Sequence, residues 1–261
     1  MANPVMQELR DYLAANPDFK QAFENSFKLA QAYNIPQFKE YGLNTFEDYI
    51  NFYEYLLTWV PTETLDGRAV YYHICVSYFV VDLPPVRVYQ SPIRPDSVEP
   101  WRWLSSWIIR WAKEIGKFCD TTESINQHSL ASFYNAPAYH MQDYPIPPGG
   151  WKTFNEFFAR HIDPAVRPID PNPKVIVSPA DSSFGGWWQI DDNAEVTLKS
   201  LPWSMTTLLK ESAYGEAFAG GKFMHAFLNT TDYHRQHAPV SGKVVEAKVI
   251  PGLCYLEVSL T

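Results

Sequence analysis

Hydrophobic positions in the first half of the chain follow helical spacing, and in the second half they shift to short runs rich in β-branched and aromatic residues. PVMQELRDYLAANP and DFKQAFENSFKLAQAY have helix-forming composition and are divided at Asn16-Pro17, a pair that ends one helix and opens the next. NTFEDYINFYEYLLTWV is predicted as a third helix, capped by Asn44 or Thr45. Glu47 and Asp48 lie in its first turn, where the helix dipole favours negative charge. The clearest helix opens near Pro100. Leu104, Trp107, Ile108, Trp111, Ala112, Ile115 and Phe118 recur along one face, with Arg110, Lys113, Glu114 and Lys117 on the other. Packing alone explains tryptophans at that spacing, so the stripe reads as core rather than as an aromatic ligand site. One further helix is expected over 122–133.

Residues 135–150, NAPAYHMQDYPIPPGG, cannot continue a helix, because prolines and a Gly-Gly pair interrupt them. The boundary between a helical domain, 1–150, and a second domain, 151–261, is placed there. Thr153 and Glu156 have the spacing of a capping box for a short helix ending near His161. Beyond it, VIVSPAD, SFGGWWQI, EVTLK, KFMHAFLN, GKVVEAKVI and GLCYLEVSL read as strands bounded by Pro, Gly, Asp and Asn, with one short helix at 204–210. The fold class is therefore α+β: a helical domain followed by a mostly antiparallel, sandwich- or barrel-like β domain, expected to be incomplete at its C-terminus.

Composition narrows the function classes. With 46% apolar and 16% aromatic residues the chain has ample material for a core. A net charge of −8 and the lack of a basic block argue against nucleic acid as a partner, and against electrostatic adhesion to anionic membranes. Cys75, Cys119 and Cys254 are widely spaced and form no CxxC pair, which suits buried thiols in a reducing compartment. Glu8, Arg10 and Asp11 fall where an export signal needs an apolar stretch. The strongly apolar uncharged run 69–81 is shorter than the roughly 20 residues a membrane helix needs. A soluble, cytoplasmic protein with no transmembrane segment is expected.

Two segments carry candidate chemistry. In TTDYHRQHAPVSGKVV, His234 and His237 are three residues apart, so a single helical turn would put both imidazoles on one face. Such a pair suits metal ligation or proton transfer, and equally a capping or core role. In VIVSPADSSFGG, a strand is expected to lead to Asp181, and Gly185-Gly186 permits close backbone approach. An aspartate there also suits a simple Asx turn. Trp187, Trp188 and Trp203 are read as core.

Together these segments resemble the phosphatidylserine decarboxylase family of pyruvoyl enzymes, which carries an SPAD-type aspartate followed by a DYHR-x-H-x-P-v-x-G block. FNEFFARHIDPAVRPID continues the resemblance, with Phe157, Phe158, Arg160, Arg167, Pro168 and Ile169 matching the family's opening motif. LKSLPWSMTTLL is similar to the family's K-G-x-x-Y-S-L-x-x-L-L segment, with Ser200 and Trp203 substituted, and Ser182 stands where the family usually has glycine. The match runs from about Trp151 to the C-terminus. The helical half is similar, more weakly, to the extension on soluble relatives such as the fungal aromatic L-amino-acid decarboxylases.

The resemblance implies that Asp181 orients His237 and that His237 deprotonates a serine. That serine attacks its own preceding peptide carbonyl, cuts the chain and leaves a covalent pyruvoyl cofactor, which forms a Schiff base with the substrate amine. His234 is implied in decarboxylation, as an acid or a substrate-positioning group. The family's serine lies in a Gly-Ser motif far downstream of the histidine block. No Gly-Ser dipeptide occurs here, so the serine is expected beyond Thr261 or on another chain. Ser182, a strand neighbour of Asp181, would face the opposite side and is not taken as the nucleophile. The implied substrate is phosphatidylserine or a small amine-bearing molecule such as an aromatic L-amino acid. Asp181 is expected within hydrogen-bond reach of His237.

Two other readings compete. A truncated, non-catalytic relative acting as a binding or interaction protein would need a homo-oligomer or a partner chain over an open sheet edge. A metal-dependent enzyme would use His234, His237 and Asp181 as a two-histidine, one-carboxylate site.

Overall fold

The computed structural model describes residues 3–94, 97–198, 201–210, 212–250 and 252–253. It divides into two compact units, one built chiefly from 3–91 and 99–158 and the other from Ala159–Gly252.

The first unit is helical. α1 (Pro4–Ala15) and α2 (Pro17–Ala32) each begin on a proline, whose missing N–H costs nothing in a first turn. α3 (Pro36–Glu40) leads to α4 (Phe46–Leu56). Thr45 is the N-cap of α4. Its hydroxyl accepts the Asp48 N–H at 3.1 Å, and the Asp48 carboxylate accepts the Thr45 N–H at 2.7 Å, a reciprocal capping box. The uncharged run 69–81 forms most of α5 (Ala69–Asp82), with Val76, Val80 and Val81 fully buried. Arg68 offers α5 no side-chain cap. Glu63 does so instead, accepting the N–H groups of Ala69 (2.8 Å) and Val70 (3.1 Å) together with the Tyr139 hydroxyl (2.7 Å).

α6 (Pro84–Arg87) leads to α7 (Trp103–Cys119). The α7 stripe is core, as its spacing predicts: Leu104, Trp107, Ile108 and Trp111 are buried with Met6, Leu9, Phe23, Tyr49 and Tyr53. Both indole N–H groups are satisfied, Trp107 by the Val5 carbonyl (2.8 Å) and Trp111 by the Tyr53 carbonyl (3.1 Å). The single helix expected over 122–133 is instead a 3₁₀ turn, Thr122–Ser124, followed by α8 (Gln127–Asn135). Asn126 interrupts it by capping α8 through its side chain, which accepts the Ser129 N–H. The unit runs past the Pro- and Gly-rich stretch to include α9 (Phe154–Phe158), where Phe157 packs on Phe133 with ring centroids 4.6 Å apart. α9 ends three residues before the expected stop at His161. Its Glu156 carboxylate accepts the Lys152 N–H rather than completing a box with Thr153.

Cys75 and Cys119 are buried, as expected, and burial pushes the Cys119 thiol up to about 11. Cys254 lies outside the described residues. Among the described residues, no helix is long and apolar enough to cross a membrane.

His73 lies in the helical core region, stacked on Trp59 at 3.9 Å and donating Nδ1–H to the Ala69 carbonyl. Burial lowers its pKa below the usual histidine value, against the smaller opposing effect of that bond. The unfolded chain therefore binds a proton more readily than the folded one. The stability held above about pH 6.5 should fall as the pH drops below that value. Urea midpoints between pH 7.5 and 5 are expected to decline less steeply in His73→Gln than in the parent; equal slopes would remove His73 from the acid response.

The second unit holds the strands. β1 (Ser183–Gln189) pairs antiparallel with β4 (Lys222–Phe227), and β2 (Glu195–Leu198) with β3 (Leu201–Ser204). The chain is thus mixed α and β, but the described strands make two two-stranded ribbons rather than a closed barrel. The Gly185-Gly186 pair is needed at the β1 bulge. A Cβ on Gly185 would come within 2.8 Å of the His225 ring, and Gly186 has φ +145°. Ile190, Ala194, Val196 and Met205 form a small core, with Met205 at the start of α10 (Met205–Leu208), capped by Ser204. Trp188 and Trp203 pack against this core. Trp187 does not: it is 56% exposed, with the Lys222 ammonium 4.5 Å from its ring centroid.

Two expected strands are corrected. VIVSPAD and GKVVEAKVI are not assigned as strands, and Val244, Val245 and Val249 are exposed. Their β-branched composition favours extension, but a strand also needs a continuous main-chain partner, which 242–250 lack among the described residues. Most of GLCYLEVSL lies outside those residues.

Candidate active site

The two motif segments meet through their backbones. The Val177 N–H donates to the Pro239 carbonyl (3.0 Å) and the His237 N–H to the Pro179 carbonyl (2.8 Å). These bonds flank Ser178 opposite Ala238 in antiparallel register. The pairing corrects the helical turn expected at 234–237: the main chain there is committed to residues 177–179, and no helix forms.

Upstream, Asn229 and Asp232 close a turn after β4, the Asn229 N–H donating to Oδ2 of Asp232 at 2.7 Å. The start of the unit holds the loop from two sides. Arg235 Nε donates to the Ala159 carbonyl (2.6 Å), and the buried Arg160 donates Nη2–H to the Thr231 carbonyl (3.5 Å).

The pairing puts Asp181 and His237 on one cavity of about 530 Å³, bordered also by His161, Arg167, Ser178 and Tyr233. Tyr233 is buried, and its ring lies 5.5 Å from that of His237. The carboxylate does not bond the imidazole in this arrangement. Arg167 takes both oxygens of Asp181, Nε to Oδ1 and Nη2 to Oδ2, each at 3.2 Å. His234 does not border the cavity. Its Nε2 lies 2.9 Å from the Asn229 carbonyl, and a carbonyl only accepts, so Nε2 carries the proton. Burial lowers the His234 pKa and the Arg160 charge adds to that, outweighing the opposing bond to Asn229; the ring is therefore neutral at pH 7.

Ser182 bonds its hydroxyl to the Ala180 carbonyl at 3.4 Å. Ser200 lies outside the described residues. Among the described residues, no three His, Cys, Asp or Glu side chains come together as a metal-binding set. The two-histidine, one-carboxylate grouping is therefore not assembled.

The phosphatidylserine decarboxylase family matches residues 154–260, a span that includes Asp181, His234 and His237. Over that span the chain is similar to the phosphatidylserine decarboxylase family. The phosphatidylserine decarboxylase proenzyme of Clostridium perfringens is 32% identical over 145 residues, 56% of this chain and 49% of the relative. That of Anaeromyxobacter sp. is 36% identical over 102 residues, 39% of this chain and 36% of the relative. Proenzyme 3 of Schizosaccharomyces pombe is 36% identical over 118 residues, 44% of this chain and 12% of the relative. The chain thus spans about half, or less, of the length of these phosphatidylserine decarboxylase relatives.

Sequence reasoning gave Arg160 and Arg167 no role beyond motif matches, and it passed over Tyr233. Their recurrence within FFARHIDPAVRPID and DYHR was the available signal. Which partner each would find was not legible.

Proposed function

We propose that this chain is part of a phosphatidylserine decarboxylase, a carboxy-lyase, in which Asp181, His237 and His234 work beside a pyruvoyl group formed from a serine outside these 261 residues. The observation that carries this reading is the main-chain pairing that brings Asp181 and His237, 56 positions apart in sequence, to one cavity within the family-matched span.

The residues present fit such a group. His237 is exposed at the cavity, and its main chain is fixed independently of its side chain, so the imidazole has room to take a proton from an alcohol placed there. Pro164, Val166 and Ile169 give the cavity an apolar wall, and its volume falls in the range of small-molecule sites. A pyruvoyl carbonyl, condensed with the substrate amine, would supply the electron sink that decarboxylation needs. Neutral His234, anchored by Asn229, suits positioning more than acid catalysis, because its Nε2 proton is already committed.

The test is to incubate the longer protein that includes the pyruvoyl-forming serine with phosphatidylserine vesicles and, separately, with tryptophan, and to measure carbon dioxide. Release from phosphatidylserine, abolished by a carbonyl-trapping reagent, is expected. Release that resists trapping would refute the pyruvoyl chemistry, and release from tryptophan alone would move the substrate to aromatic amino acids.

A further inference from the structure

The contact that displaces the expected aspartate–histidine bond is itself informative. The Arg167 fork presents Nε and Nη2 to the Asp181 carboxylate at the rim of the cavity, while its Nη1 donates to the Val166 carbonyl at 3.2 Å. Parallel two-point contact is the geometry in which guanidinium groups take carboxylates and phosphates. The Arg167 and Asp181 side chains are 47% and 36% exposed, so water and a competing anion can reach both. A pair so exposed is weak and exchanges readily.

We propose that Arg167 is the phosphodiester-binding residue of this site, and that Asp181 occupies it as an internal anion until a ligand displaces it. The choice of a headgroup phosphodiester rests on the decarboxylase reading. The substrate carboxylate is the poorer candidate: an arginine holding it would stabilise the charge that decarboxylation removes. A phosphodiester keeps its charge throughout the reaction, so binding it raises no barrier. Displacement frees the Asp181 carboxylate, on the same cavity as His237, to turn to the imidazole. Anion binding and assembly of the acid–imidazole pair are thereby coupled, and the coupling is reciprocal.

Calorimetric titration of the purified protein tests this without any turnover, using glycerophosphoserine, glycerophosphoethanolamine, inorganic phosphate and serine. Both diesters are expected to bind and serine is not. Arg167→Gln should weaken the diesters by about 10-fold or more, the scale of a charge-assisted hydrogen bond, with partial recovery in Arg167→Lys. Asp181→Asn should tighten them by roughly 2- to 5-fold, because it removes the internal competitor. That gain is the decisive sign, since a merely structural Asp181 would give loss or no change. Unchanged or weaker diester binding in Asp181→Asn overturns the proposal even if Arg167→Gln fails to fold. Serine binding as well as the diesters, or phosphate binding as tightly as the diesters, overturns the headgroup assignment. Diester binding with the stated pattern in a serine-containing longer protein that releases no carbon dioxide would remove the decarboxylase reading and leave the Arg167 site standing.

Discussion

Trp107→Ala is expected to destabilise the helical unit by about 3–5 kcal/mol, the range for truncating a fully buried large aromatic residue. Trp107 has no exposed surface and meets Tyr53 edge-on at 5.3 Å and Trp111 at 6.2 Å. Truncation empties that volume. It also removes the 2.8 Å indole bond that ties α7 to the Val5 carbonyl of α1. Both losses act between α1 and α7, which are distant in sequence, so local helix propensity cannot compensate. Urea unfolding followed by near-ultraviolet circular dichroism measures the change. Trp187→Ala is the control: its ring is mostly exposed, and a shift within about 0.5 kcal/mol is expected. Similar losses in the two variants would contradict the burial difference on which the core assignment rests.

What could be read from the sequence follows from the range of the forces involved. The helical half was legible because its signals are local. The Thr45–Asp48 box, the prolines opening α1 and α2, and the three- and four-residue steps of α7 all act within a turn or two. Asn126 shows the limit even there, since one capping side chain split a segment whose apolar content suggested a continuous helix. In the second unit the deciding interactions are long-range. The spacing of His234 and His237 is compatible with a helical turn, but Pro179 and Pro239 enter main-chain bonds with His237 and Val177, and nothing within TTDYHRQHAP announces those partners. The same holds for Asp181. The resemblance predicts a hydrogen bond with His237; the two side chains share a cavity, but the carboxylate is paired with Arg167, a partner set by how the 159–181 loop folds back. Runs of β-branched and aromatic residues between turn residues found β1, β2 and β4. They also marked 242–250, where composition favours a strand but no ladder is available among the described residues.

On the decarboxylase reading, His237→Ala in the longer protein that includes the pyruvoyl-forming serine is expected to slow self-cleavage by about 10²–10⁴-fold, the usual loss for a removed general base, and carbon dioxide release falls with it for want of the cofactor. The site is suited to this test because the fold does not depend on the imidazole. His237 holds its place through its backbone N–H, which alanine keeps, and its exposed side chain has the Tyr233 ring as its neighbour. The urea midpoint should therefore move by no more than the roughly 0.5 kcal/mol typical of a surface change. His234→Ala should differ, since it deletes a half-buried ring bonded to the Asn229 carbonyl and disturbs the turn before the motif, so activity and stability fall together. The pair of variants separates chemistry from folding. A large loss in His237→Ala with an unchanged midpoint assigns the proton transfer to that imidazole. Retention of full release would show that the base lies elsewhere, and that the shared cavity of Asp181 and His237 reflects common descent rather than catalysis.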